Sequence, residues 1–131
     1  MKVAKSNAPT GKGSADWFTG DVYIDGVKQA DDQSAIGVAH VRFSPGSRTA
    51  WHTHPKGQIL YITEGIGLVC KRGEKPKEIR PGDSAFIEPG EEHWHGATPE
   101  RYMSHVAIQE SGEDGKPVTW LEQVKEEDYK A

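Results

Sequence analysis

Four of the six histidines stand in two pairs, His52-Thr53-His54 and His93-Trp94-His95. In an extended strand, side chains two positions apart point to the same face at about 7 Å along the chain, so each pair can aim two imidazoles at one ion. His105 lies in Tyr102-Met103-Ser104-His105-Val106-Ala107-Ile108-Gln109, which reads as a strand. Parity places Met103, His105, Ala107 and Gln109 on one face, opposite Tyr102, Ser104, Val106 and Ile108. A small face carrying one His and one Gln suits a barrel lumen, where neutral imidazole accepts a proton from a bound substrate; a supporting or solvent-facing histidine fits the same pattern. His95 offers a pocket hydrogen bond or a further ligand. His40 shares its strand face with Arg42 and reads as solvated. Cys70, without a partner base, reads as an inert strand residue.

The elements that position these residues must be short. The chain has 131 residues, enough for one domain and one core. Its 15 Gly and 8 Pro are spread between short apolar runs. Turn signals recur at Asp25-Gly26, Ser44-Pro45-Gly46, Glu64-Gly65, Arg72-Gly73, Pro81-Gly82-Asp83, Pro89-Gly90 and Thr98-Pro99, the punctuation of an all-β sandwich or barrel. Residues 1–15 are polar and predict a flexible N-terminal arm, leaving 16–131 as a single domain. Near the C-terminus, Thr119 and Glu122 form a capping-box pattern that predicts a helix over about 120–130. Trp17, Trp51, Trp94 and Trp120 are expected to anchor the core or an interface.

Charge excludes some functions. Sixteen Lys and Arg face 20 Asp and Glu for a net charge of −4, with no basic field for nucleic acid or an anionic membrane. Runs such as Ile59-Leu60-Tyr61-Ile62 are far short of the roughly 18 residues that span a bilayer. One cysteine and a polar start point to the cytoplasm.

The spacing extends beyond the paired histidines. Gly46, His52, His54, Gln58 and Gly65 follow one another as G-x5-H-x-H-x3-Q-x6-G, and a second block runs Gly82-Asp83, Pro89-Gly90, His93. This resembles the cupin superfamily, whose first motif is G-x5-H-x-H-x3-E-x6-G and whose second is G-x5-P-x-G-x2-H-x3-N. Gln58 replaces the usual Glu, Glu88 stands at the usual Pro, and Ala97 stands at the usual Asn. The resemblance implies an all-β cupin jelly-roll barrel closed by a short C-terminal helix. It also implies one divalent metal held by His52, His54, Gln58 and His93. Four neutral ligands would leave the ion's double charge uncompensated and make it a stronger Lewis acid than a carboxylate would. Imidazole and amide donors suit Mn, Fe, Co, Ni or Zn.

Longer segments, Ala15–Gly20, Arg48–Pro55, Pro89–Gly96 and His105–Glu110, resemble the small bacterial cupins that include manganese-dependent hydroxynitrile lyases. That likeness implies reversible cleavage of mandelonitrile-like cyanohydrins to an aldehyde and cyanide. It makes manganese the expected metal and His105 the general base, with His95 and Gln109 in the substrate pocket. It further implies a small-molecule substrate and a homo-oligomer, a dimer or tetramer. Two other readings accompany it: a small Fe or Mn cupin dioxygenase or oxidase, and a non-enzymatic cupin that binds a metal or small ligand.

Overall fold

The computed structural model describes residues 1–6 and 8–131. In chain order its strands are β1 (Gly11–Lys12), β2 (Phe18–Thr19), β3 (Val22–Lys28), β4 (Ile36–Phe43), β5 (Arg48–Thr49), β6 (His52–Thr53) and β7 (Gln58–Gly65). They continue as β8 (Gly67–Lys71), β9 (Lys77–Ile79), β10 (Ser84–Ile87), β11 (His93–Ala97), β12 (Met103–Glu110) and β13 (Thr119–Trp120), followed by a helix, α1 (Glu126–Tyr129). One sheet runs β1-β3-β4-β12-β7-β10; the other runs β13-β6-β11-β5-β2, with β8 beside β11 and β9 beside β8. All pairings are antiparallel, and the two sheets form the expected jelly roll.

Alternation along the strands builds the interior. Val22, Val41, Phe43, Leu60, Ile62, Ile87, Met103 and Ala107 project inward and pack as one buried cluster between the sheets. Turns form as expected at Gly46, Gly65, Gly73, Gly82 and Gly90, but Asp25-Gly26, expected as a turn, lies inside β3, where the pairing with β4 shifts register between Gly26 and Lys28. Gly65 has φ +74°, and a Cβ there would collide with the Tyr102 carbonyl, so both conformation and space require glycine between β7 and β8. No helix among the described residues is long and apolar enough to cross a membrane.

Strand β11 is buried on both faces. Its His93, His95 and Ala97 face the barrel interior. Trp94 faces the other way and joins Trp51, Cys70, Val124 and Tyr129 in a second cluster on the outside of the sheet. Tyr129 closes this layer: its hydroxyl donates to the Ala97 carbonyl at 2.6 Å, and the Arg48 guanidinium lies 4.3 Å above its ring. Arg48 also donates to the Val124 carbonyl at 2.9 Å and pairs with Glu126 at 3.2 Å. Burial raises the Cys70 thiol pKa, in keeping with an inert residue.

The expected bounds of the C-terminal helix are corrected too. The C-terminal helix is not 120–130 but only Glu126–Tyr129, and its N-cap Lys125 makes no side-chain cap. Thr119 pairs in β13 with Thr53, and Glu122 is drawn to Arg72, with oxygens 3.1 and 2.6 Å from the guanidinium; tertiary pairing overrides the capping-box pattern. At the other end, β1 falls within the 1–15 segment, and its Gly11 and Lys12 pair with Ile24 and Tyr23.

The outer cluster predicts a stability hierarchy. Tyr129→Ala lowers the free energy of urea unfolding by about 3–5 kcal/mol, as for other large buried aromatics. Tyr129→Phe costs about 1–2 kcal/mol by leaving the Ala97 carbonyl unpaired.

Candidate metal and substrate site

Backbone carbonyls set the chemistry of three imidazoles. His52 Nδ1–H donates to Ala50 O at 2.9 Å, and His93 Nδ1–H donates to Glu91 O at 2.9 Å. Both anchors lie two residues back in the same chain, so the local strand geometry supplies them. His54 Nδ1–H donates to Pro117 O at 2.7 Å, in the segment leading to β13. A carbonyl only accepts, so each Nδ1 carries the hydrogen and each Nε2 keeps a free lone pair. This is how metal-ligating histidines are oriented.

The donors converge. Ring centroids of His52 and His93 are 4.1 Å apart, those of His52 and His54 5.0 Å, and those of His54 and His93 5.4 Å. Gln58 Nε2 donates to Gln109 Oε1 at 3.2 Å, which turns Gln58 Oε1 toward His93 Nε2, 3.3 Å away. Two lone pairs therefore face each other in a buried place with no hydrogen between them. His54 Nε2 is buried without a hydrogen-bond partner among the described residues. Acceptors gathered in this way fit a divalent cation, which replaces their mutual repulsion with attraction. His52, His93 and His95 also offer ligand atoms that all lie within 4.8 Å of one another. His95, expected in the substrate pocket, thus reaches the same centre, its ring 5.2 Å from that of His52 and 5.7 Å from that of His93.

His95 and His105 form a second unit. His105 Nε2 and His95 Nδ1 are 3.0 Å apart, so one shared hydrogen lies between them. The outer nitrogens, His105 Nδ1 and His95 Nε2, have no partner among the described residues. Tautomer arithmetic makes the pair complementary: whichever ring donates across the bond, one outer nitrogen is a base and the other an N–H donor. The His95 backbone N–H is held by Thr49 Oγ1 at 3.2 Å, and Phe43 packs against both rings at 5.9 and 5.3 Å.

Burial keeps every one of these imidazoles neutral. Desolvation, aided by neighbouring imidazoles, holds His52 and His95 well below the usual histidine range, and desolvation alone lowers His54. Desolvation brings His93 down to about 4 and His105 to about 3. Neutral rings are the form that binds a cation or accepts a proton.

These groups border a cavity of about 170 Å³ lined by His52, His54, Gln58, His95, His105 and Gln109 on its polar side. His93 joins from its edge through Gln58 and His52. The apolar side includes Phe18, Ala39, Val41, Phe43 and Trp120. Trp120, read from sequence only as an anchor, lies 4.8 Å from the His52 ring and stacks on Trp17 at 5.5 Å. The inward parity of Ala39, Val41 and Phe43 could have nominated those three. Pro117 carried no such signal, because it acts through a carbonyl. His40 is on the outer face as expected, half-buried, with Nε2 3.3 Å from Thr63 Oγ1.

A family model described as a cupin domain matches residues 39–108. The chain is 53% identical over 121 residues to an (R)-mandelonitrile lyase of Granulicella tundricola, covering 92% of each chain. Among solved structures it resembles a cupin-like protein of Thermotoga maritima, with TM-score 0.85, 38% identity and 96% of each chain covered. A predicted oxalate decarboxylase of the same organism shares the fold at TM-score 0.72 and 23% identity, over 92% of this chain and 100% of that one.

Two measurements test the site. Elemental analysis of protein reconstituted with manganese and desalted is expected to give about one equivalent of metal per chain, lost in His52→Ala, as removal of one ligand of a small set implies. The chelated protein is expected to lose stability as pH falls from about 6.5 to about 4. There the unfolded imidazoles take up protons while His93 and His105 stay neutral in the fold, so the stabilisation is complete above that window. Thermal unfolding of the chelated protein at several pH values reads this directly.

Proposed function

Because the chain belongs to the cupin family, we propose that it is a metal-dependent lyase that reversibly cleaves mandelonitrile-like cyanohydrins to an aldehyde and cyanide. The observation that carries this reading is the pairing of a neutral donor cluster with the His95–His105 unit in one apolar cavity, in a chain 53% identical to a mandelonitrile lyase. In it, His52, His54, Gln58 and His93 hold the ion. Manganese is the metal proposed, although the same donors also accept Fe, Co, Ni or Zn. When bound, such an ion supplies Lewis acidity that four neutral ligands leave uncompensated.

The chain's own residues supply the rest. Phe18, Val41, Phe43 and Trp120 receive the aryl group and exclude water, which strengthens every polar interaction inside. His105, neutral at ordinary pH because of its burial, takes the cyanohydrin hydroxyl proton. The oxygen's electron pair forms the carbonyl, and the carbon–carbon bond breaks with its pair leaving on the nitrile carbon as cyanide. Proton return from the imidazolium to cyanide gives hydrogen cyanide and restores the neutral ring, the form that burial favours. With His105 Nε2–H donating to His95 Nδ1 across their 3.0 Å contact, His105 Nδ1 is the free base, and Gln109, fixed by Gln58, orients the substrate.

A homo-oligomer, dimer or tetramer, is part of the proposal. It is supported by Ile59, Tyr61 and Phe86, which are 44, 50 and 65% exposed on the outer face of the six-stranded sheet. A cytoplasmic setting is supported by the unpaired Cys70.

The deciding experiment follows mandelonitrile cleavage by the manganese-loaded protein with and without oxygen. Equal rates are expected, whereas a dioxygenase or oxidase would stop without oxygen and consume it with turnover. His105→Ala should keep its metal and lose roughly 10²-fold or more in turnover. Unchanged turnover in the metal-replete variant would remove His105 from the role of base.

A further inference from the structure

The inner cavity is not closed. A second space of about 400 Å³ opens beyond it, lined by Lys28, Gln29, Gly37, Ser111 and others, and shares Ala39, Gln109 and Pro117 with the inner one. The two are adjoining chambers with the Gln109 side chain at their boundary. That side chain is fixed on its inner side, where Oε1 accepts from Gln58 Nε2.

Gly37 stands opposite. It pairs in register with Gln109 across β4 and β12, and a Cβ at Gly37 would lie 3.4 Å from Gln109 Nε2. One methyl group would therefore just touch the amide, and any larger side chain would fill the space between the chambers. The glycine is not needed for backbone shape, since it is absent from the positive-φ glycines. A glycine inside a strand weakens the strand and often marks a bulge, a tight bend or the close approach of a ligand or another backbone. Gly26 on the neighbouring strand extends the opening, with nothing within 4 Å of a Cβ placed there.

Size decides what the opening serves. An apolar cavity of roughly 150 Å³ holds benzene, so the inner chamber of about 170 Å³ takes one aromatic ring beside the histidines and has no room for a second. We propose that Gly37 is a specificity-determining residue that lets elongated aryl substrates extend from the inner chamber into the outer one. The substrate class is then aryl cyanohydrins and aldehydes with a second ring or comparable linear group, the reacting carbon lying by His105 and the far end passing Gly37. The chemistry of the inner end rests on the lyase reading given above; the passage does not.

The test uses manganese-loaded protein, with calorimetric binding of benzaldehyde and biphenyl-4-carbaldehyde and cleavage of their cyanohydrins. The wild type is expected to bind the biphenyl aldehyde at least as tightly as benzaldehyde. Gly37→Val should weaken biphenyl binding and kcat/KM by roughly tenfold or more, while benzaldehyde changes by less than about twofold, because only the longer ligand meets the new side chain. Gly37→Ala should lie between wild type and Gly37→Val. Equal losses for both aldehydes would mean the substitution disturbs the inner chamber, and no loss for either would mean the long ligand takes another path; both overturn the proposal. Should both aldehydes bind with the expected pattern but neither cyanohydrin be cleaved, the lyase reading falls and the passage stands. Should both be cleaved without a size-dependent loss, the passage falls and the lyase reading stands.

Discussion

Everything in the centre of this barrel depends on three histidine Nδ1–H groups donating to carbonyls. With Ala50, Glu91 and Pro117 accepting, His52, His93 and His54 have no hydrogen left on Nε2, and the interior receives lone pairs rather than donors. A cluster of acceptors in a water-poor space is unfavourable alone and favourable around a cation. The same bonds fix the rings in place, so an ion arriving there meets preoriented ligands and orders little side-chain freedom on binding. Gln58 extends this logic by one residue: its amide nitrogen is engaged by Gln109, which leaves its oxygen as one more acceptor.

Strand β11 couples this centre to the stability of the whole domain. Its alternation sends His93 and His95 inward and Trp94 outward, where Tyr129, Val124 and Trp51 cover it. The short C-terminal helix is therefore the outer wall of the strand that carries the imidazoles. A four-residue helix has little stability of its own, and its position is set by Tyr129 and by Arg48, which bonds the Val124 carbonyl, Glu126 and the Tyr129 ring at once. Loss of that wall would admit water to the layer behind β11 and weaken the desolvation that keeps the imidazoles neutral.

Much of this was legible in the chain because it follows from parity and turn chemistry. Two residues of separation place His52 with His54 and His93 with His95 on one face, and a jelly roll brings the two strands together, with His52 and His93 in register. The inward face of β12 was equally readable, since its alternation survives intact from Met103 to Gln109 despite the irregular pairing with β7 near Ser104. What escaped sequence reading acts over long separations or through backbone atoms. Pro117 matters by its carbonyl, and Thr119 was claimed by a strand partner at Thr53 that no local pattern announces. Glu122 was claimed in the same way by Arg72. Gly11 and Lys12 look like linker because a two-residue pairing leaves no periodicity to detect.

The replacement of a carboxylate by Gln58 gains meaning from these surroundings. In a site shielded from water, a carboxylate would cancel one unit of a divalent ion's charge and would also attract any proton released beside it. An amide does neither. It leaves imidazoles as the titratable groups lining the cavity, and the shared hydrogen of His95 and His105 couples those two so that a proton gained at one end changes what the other end can donate. Burial then biases that pair toward neutrality. A neutral donor set and a neutral imidazole pair thus meet in one cavity without adding a fixed charge of their own, so an ion held there would keep its full charge beside a pair able to pass on a proton.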